Sequence, residues 1–317
     1  MREPLLPWLE APAAQLRGAF AAGRLPPALL LHEAPGVGAM QLAQYFAQLR
    51  FCVGKQPPCG ECTHCRRVAS GEHPDFIVIG PDPELKLVQI SVDQIRDLAR
   101  QLALSSYEGR GTVVVLQPAD VLNRNAANAL LKTLEEPRPD AHLLLLTSAP
   151  SLLPATVRSR CQRLAVPAPD RAATLAWLAE RKPAHRADWP AVLDVVGIAP
   201  LAALEADVGR MVALREEVLQ GLAAAAQGRL DVIRTAAAWA GDDLRLRLAC
   251  IENCLTGQLL AMRAGARLQG GLLDINIAQA LRLLDDLREL SGQLATSVNK
   301  PLQLERQLWR LNQAGVG

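Results

Sequence analysis

Leu29-Leu-Leu-His-Glu-Ala-Pro-Gly-Val-Gly-Ala-Met40 carries an apolar run into Gly36-Val-Gly38 and then into a helical pattern. That is the strand–loop–helix setting of a phosphate-binding loop. In such a loop backbone N–H groups cradle the phosphates, a Lys reaches the outer ones and a Ser/Thr hydroxyl holds Mg²⁺. Here the Lys position is Ala39 and the hydroxyl position is Met40. Glu33 stands where the first Gly would be and puts negative charge where phosphate should go. Glu33, Gly36, Gly38, Ala39 and Met40 thus form a degenerate cofactor site in which no bound ATP is expected.

Outward from this loop, the first half of the chain alternates strand and helix patterns. Short apolar runs at Ala28–Leu31, Phe76–Ile79, Val113–Leu116, Leu143–Thr147 and Arg163–Val166 predict strands. Helical patterns at Met40–Phe51, Ser91–Leu104 and Asn125–Glu136 fall between them. Such alternation implies an α/β domain with a mostly parallel sheet covered on both faces. In the third helix Ala127, Leu130, Leu131 and Leu134 recur at i, i+3, i+4, i+7 and predict the buried stripe. Asn125 is the expected N-cap and Pro137 the stop. The proline-rich Val166-Pro-Ala-Pro-Asp170 ends the sheet domain, and Asp170 opens a small helical segment reaching about Ala206. The remainder is helical by pattern, most strongly at Leu244–Met262 and Ile277–Leu294.

Of 317 residues, 50% are hydrophobic and only 3% aromatic, so Ala and Leu carry the apolar content and favour helices. A net charge of +2 makes no case for nucleic acid by itself. The N-terminal Met1-Arg-Glu-Pro-Leu-Leu-Pro-Trp-Leu-Glu10 lacks the apolar core of a signal peptide, and no apolar run approaches a membrane span. A soluble, cytoplasmic protein is expected.

Four of the seven cysteines crowd into Cys52-(six residues)-Cys59-x-x-Cys62-x-x-Cys65. Two successive C-x-x-C steps let the backbone curl round one ion, and Cys52 can close a tetrahedral S₄ site. Structural zinc is the expected cofactor, since full coordination leaves no open position. Reduced thiols or a redox pair are the alternatives, although a redox motif needs only two cysteines. Lys55, Arg66 and Arg67 are placed to balance a dianionic centre, and His64 or His73 could replace one ligand. Gly54, Gly60 and Pro57-Pro58 suit a tight knuckle. Cys161, Cys250 and Cys254 read as small buried apolar residues.

The third strand should end in an acidic pair if the chain hydrolysed nucleotide. It ends in Gln117-Pro118, with Asp120 three residues late and best read as a helix cap or surface carboxylate. Loop and strand fail together, which argues that hydrolysis was given up.

Asn128-Ala-Leu-Leu-Lys-Thr-Leu-Glu-Glu-Pro137 and Leu153-Pro-Ala-Thr-Val-Arg-Ser-Arg-Cys161 give the chain a family. At these stretches it resembles the bacterial clamp-loader subunits of the AAA+ class, whose four-Cys insert is a zinc module. The motifs cover Leu29 to about Val166. An empty loop beside an intact Ser159-Arg160-Cys161 is similar to the family's non-hydrolysing member. It departs from the gamma/tau subunits, which keep the Lys, the hydroxyl and the acidic pair.

The resemblance implies a RecA-like domain with a zinc module (1–166), a small helical lid domain (167–208) and an all-α C-terminal collar domain (209–317). It implies a rigid member of a ring that uses ATP to open the sliding clamp and place it on primed DNA. The chain would be no enzyme on its own, but part of the DNA-directed DNA polymerase III holoenzyme, a nucleotidyltransferase. The implied partners are gamma/tau and delta subunits in a pentameric ring. The clamp and primer–template DNA would be met through the assembled complex, at the nucleoid-associated replisome, and no membrane is involved.

Within the Ser159-Arg160-Cys161 motif, Arg160 would act in trans on a neighbour's ATP, since a guanidinium is planar, permanently charged and able to fork onto phosphate oxygens. Thr147 and Ser148 occupy the sensor position of the family and are expected to satisfy local backbone groups. Pro200 and Leu201 stand where an ATPase relative carries a nucleotide-touching Arg, and Glu135 and Glu136 are expected in surface or intersubunit contacts. Two other readings remain. One is a divergent gamma/tau-like ATPase that binds nucleotide through amides alone. The other is a zinc-stabilised DNA-binding module, against which stand the low charge and few aromatics.

Overall fold

The structure is a computed structural model that describes residues 4–82, 88–263, 276–294 and 299–314. Parts of the N-terminal stretch (1–3) and of the 209–317 region (264–275, 295–298 and 315–317) lie outside the described residues. The chain divides into two compact units, Met1–Pro169 and Asp170–Gly317.

The first unit is built on five parallel strands in the order β2-β3-β4-β1-β5. They are β1 (Ala28–His32), β2 (Phe76–Ile79), β3 (Thr112–Leu116), β4 (Ala141–Thr147) and β5 (Gln162–Ala165). Helices α1 (Glu10–Ala21), α2 (Ala39–Phe51), α3 (Thr63–Ser70), α4 (Val92–Ala103), α5 (Arg124–Glu135) and the one-turn α6 (Ala155–Arg158) accompany them. This is the expected RecA-like α/β domain. β4 is buried at every position and β1 at all but its last, as strands covered on both faces must be. Leu130 and Leu134 of α5 pack with Ile95 and Leu98 of α4 against Val114, Leu143 and Leu145 of the sheet.

The α5 stripe is Ala126, Ala127, Leu130 and Leu134, with Leu131 half-buried at its edge. The N-cap is Asn123 rather than Asn125: its Oδ1 accepts from the Ala126 N–H at 2.8 Å. Two asparagines stand two residues apart, and the one three residues before the first buried alanine captures an orphan amide.

The second unit is all helical. It holds α7 (Arg171–Arg181), α8 (Trp189–Val196), α9 (Pro200–Glu205), α10 (Val208–Ala226), α11 (Val232–Trp239), α12 (Leu244–Arg263), α13 (Ile277–Gln293) and α14 (Lys300–Ala314). Asp170 caps α7, its Oδ1 accepting from Ala173 N–H at 2.7 Å. Asp194 of α8 pairs with Arg171 at 2.7 Å and Arg215 at 2.6 Å, joining α7, α8 and α10. Nearly all of the segments expected as lid (167–208) and collar (209–317) falls in this second unit. Among the described residues no helix is long and apolar enough to cross a membrane.

Candidate functional site

The sheet order brings the carboxyl ends of β1, β3 and β4 side by side, the place where open α/β sheets bind ligands. After β1 the chain turns through Gly36 (φ 76°) and Gly38 (φ 109°), left-handed conformations that favour glycine, and Gly38 leads into α2. The first turn of α2 offers the amides a phosphate would take. The first of them is already engaged, for the Ala39 N–H donates to Glu33 Oε2 at 2.6 Å. Burial pushes the Glu33 carboxyl above its ordinary value, while the amides of Ala39 and Gly38 pull it the other way. The chain thus places its own carboxylate on the anion seat.

The segment before α1 fastens the same loop. Trp8 Nε1 donates to the Val37 carbonyl at 2.8 Å, and the Leu6 N–H donates to Gln41 Oε1 at 2.9 Å. Sequence reasoning missed Trp8 and Gln41, because neither belongs to the loop motif.

Asp120 is neither a helix cap nor an isolated surface carboxylate. It lies in a 3-10 turn after β3, and its Oδ1 accepts from Thr147 Oγ1 at 2.5 Å and from the Ser148 N–H at 3.3 Å. Thr147 Oγ1 in turn accepts from the Ala149 N–H at 3.1 Å. The ends of β3 and β4 are thereby tied together, and Thr147 serves local polar groups. In the second unit Pro200 opens α9 as a buried residue and Leu201 is half-buried, so neither brings charge.

The cysteine knuckle joins the end of α2 to α3. The Sγ atoms of Cys52, Cys59, Cys62 and Cys65 all lie within 4.8 Å of one another. A tetrahedral S₄ site with Zn–S near ~2.3 Å needs sulfurs ~3.8 Å apart, so this donor set fits a metal such as zinc after a small contraction. Backbone N–H groups converge on the sulfurs: Gly54 and Cys59 on Cys52, Cys62 on Cys59, and Cys65 on Cys62, at 3.2–3.5 Å. The amides of Cys62 and Glu61 pull Cys59 down to about 6, whereas burial pushes Cys65 up. A Cβ on Gly54 would lie 2.8 Å from Cys59 Cβ, so only glycine lets the loop close this tightly.

His64 and His73 are not ligands here. The Asp75 N–H donates to His73 Nδ1 at 3.2 Å, so the proton of His73 is on Nε2, facing His64 Nδ1 at 3.0 Å. His73 also stacks on Phe51. Arg67 pairs with Glu108 at 2.9 Å, and Lys55 and Arg66 are exposed.

Ser159, Arg160 and Cys161 follow α6 in a turn anchored by buried Val157 and Cys161. Burial pushes the Cys161 thiol up to about 11, which suits an apolar anchor and not a reactive group. Cys250 is likewise buried, but Cys254 is only half-buried. Ser159 is exposed and its Oγ donates to the Thr156 carbonyl at 3.1 Å. Arg160 is exposed as well, its Nη1 donating to the Thr156 carbonyl at 2.9 Å and its Nη2 to Glu135 Oε1 at 2.5 Å. The Glu135 pairing links two motifs that the sequence treats separately.

An α/β unit thus holds a nucleotide loop occupied from within, a four-cysteine knuckle and a turn that exposes Ser159 and Arg160, and its sequence matches a family model. The family model described as "DNA polymerase III, delta subunit" matches residues 9–170, just over half of the chain, and the chain belongs to that family. Its sequence is similar to proteins named DNA polymerase III subunit delta'. That of Pseudomonas aeruginosa is 38% identical over 223 residues, which cover 69% of this chain and 66% of that protein. That of Yersinia pestis is 42% identical over 174 residues, 54% of this chain and 51% of that protein. The matches thus span from half to just under two thirds of these relatives' length. The DNA polymerase III subunit tau/gamma of Haemophilus influenzae is 36% identical over 140 residues, 44% of this chain and 20% of that protein.

Proposed function

We propose that this chain serves as the delta' subunit of a DNA polymerase III clamp loader, a stator that hydrolyses no ATP itself and lends Arg160 to an ATPase neighbour. The observation that carries the reading is the Glu33 carboxylate on the Ala39 amide at 2.6 Å, where an ATPase would hold phosphate. The relatives named delta' support it. So does the composition of the site, with Ala39, Met40 and Gln117 in place of a Lys, a hydroxyl and an acid. Arg160 stands on an anchored turn with its guanidinium near the surface, and a permanently charged fork delivered in trans stabilises charge building on a γ-phosphate.

In this reading the partners are gamma/tau and delta subunits in a pentameric ring, with the sliding clamp and primed DNA met through that ring at the cytoplasmic replisome. Residues 167–208 act as the lid and 209–317 as the collar, and zinc on the four cysteines is structural. The tau/gamma similarity favours a second reading, a divergent ATPase subunit. Two measurements test the choice. Equilibrium titration with ATP and Mg²⁺ should give no micromolar binding to the isolated chain, and turnover by it at a motor subunit's rate refutes the stator. In the reconstituted loader, Arg160→Ala should leave assembly intact and depress ATP turnover, and an unchanged rate discards the trans arginine.

A further inference from the structure

An arginine that must meet a phosphate on another subunit gains from being aimed beforehand, because a long side chain otherwise loses rotamer freedom at the moment of contact. Arg160 is held at two points. Nη1 bonds the Thr156 carbonyl within its own turn, and Nη2 bonds Glu135, 25 positions earlier in the chain. Glu135 is the last residue of α5, a helix fixed to the sheet core through Leu130 and Leu134. The contact therefore ties a mobile side-chain type to a rigid element. A guanidinium carries five N–H donors. The two bonds to Thr156 and Glu135 use two of them, and the Arg160 side chain keeps 34% of its surface open.

We infer that Glu135 is the positioning residue of Arg160. It fixes the plane of the fork while leaving donors for a phosphate oxyanion brought by a neighbouring subunit. The inference rests on the trans role of Arg160 given above. Both partners are exposed, so the pair is a weak one whose loss costs little in folding. Its effect should appear in how often the fork is correctly aimed.

The test uses the full chain reconstituted with its ATPase partners, and reads kcat and KM for ATP separately. Glu135→Ala should lower kcat about two- to fivefold and leave KM unchanged, the size expected for one exposed ordering contact. Glu135→Gln keeps an acceptor oxygen in the same place and should fall between wild type and Ala. In an Arg160→Ala background, Glu135→Ala should change nothing further, because the two act as a unit. An unaltered or raised kcat in Glu135→Ala overturns the positioning role, and so does an equal loss in the Arg160→Ala background. If Arg160→Ala alone is silent, the trans arginine itself fails, which is a separate result from a silent Glu135→Ala beside a crippled Arg160→Ala.

Discussion

Replacing Glu33 isolates what the internal carboxylate contributes. The Ala39 amide that it accepts from is fully buried, so Glu33→Ala leaves a buried donor without its acceptor. Such an orphan costs about 1–3 kcal/mol, and losing a negative charge at a helix N-terminus adds about 0.3–1 kcal/mol. Part of this is returned, because the raised carboxyl says that the ionised form is itself desolvated. A net loss of about 1–2 kcal/mol follows, a factor of about 5–30 in the opening equilibrium. Hydrogen exchange of the full chain reads it directly, as faster exchange at the Ala39 amide. Glu33→Gln retains an oxygen acceptor and should stay close to wild type.

The pH dependence has a defined sign. A carboxyl whose folded pKa is raised takes up a proton on folding. Stability from this group is therefore gained as pH falls through that raised value, above the ordinary 4.5. Wild type should gain on Glu33→Gln over that interval. Equal protection of Ala39 in wild type and Glu33→Ala refutes the whole argument, since it means the carboxylate holds nothing.

Two other perturbations are independent of the loop. Purified protein should carry one equivalent of zinc by metal analysis, and Cys62→Ser should lower both the zinc content and the thermal midpoint, because site and fold are coupled. Asp75 is buried, and its two oxygens accept from the amides of Tyr107 and Glu108 at 2.7 and 2.9 Å. Asp75→Ala should cost about 2–4 kcal/mol in urea denaturation, and Asp75→Asn, which keeps one acceptor, roughly half of that.

The sheet was legible because its strands are short, mostly apolar runs punctuated by Gly and Pro, and the three central ones, β1, β3 and β4, are largely buried. β2 keeps the expected limits, β1, β3 and β4 gain one or two residues at one end, and β5 begins and ends one residue earlier. The four cysteines were legible because spacing alone brings thiols together. In the helical half, the strongly periodic α12 and α13 fall within one residue of the expected limits, whereas Ala and Leu repetition left the other helices after Asp170 without individual bounds. What sequence could not give was pairing at a distance. Glu33 already marked the wrong charge for a phosphate loop, but that it bonds Ala39 depends on two left-handed glycines that bend the chain back. Asp120 with Thr147, and Glu135 with Arg160, lie 27 and 25 positions apart. The first pair meets because parallel strands bring the ends of β3 and β4 together, and the second because the end of α5 meets the turn after α6. The asparagine choice at α5 turned on where the first helical turn begins, which set Asn123 three residues before the amide of Ala126.

Trp8, bonded through its indole to the carbonyl of Val37, has a practical consequence. It is the only tryptophan before Asp170, and Trp177, Trp189, Trp239 and Trp309 all follow it. Protein labelled with 5-fluorotryptophan would give one fluorine resonance for the first unit and four for the second. The Trp8 line would act as a resident spectroscopic probe, reporting disturbance of the Gly36–Gly38 turn with no foreign tag.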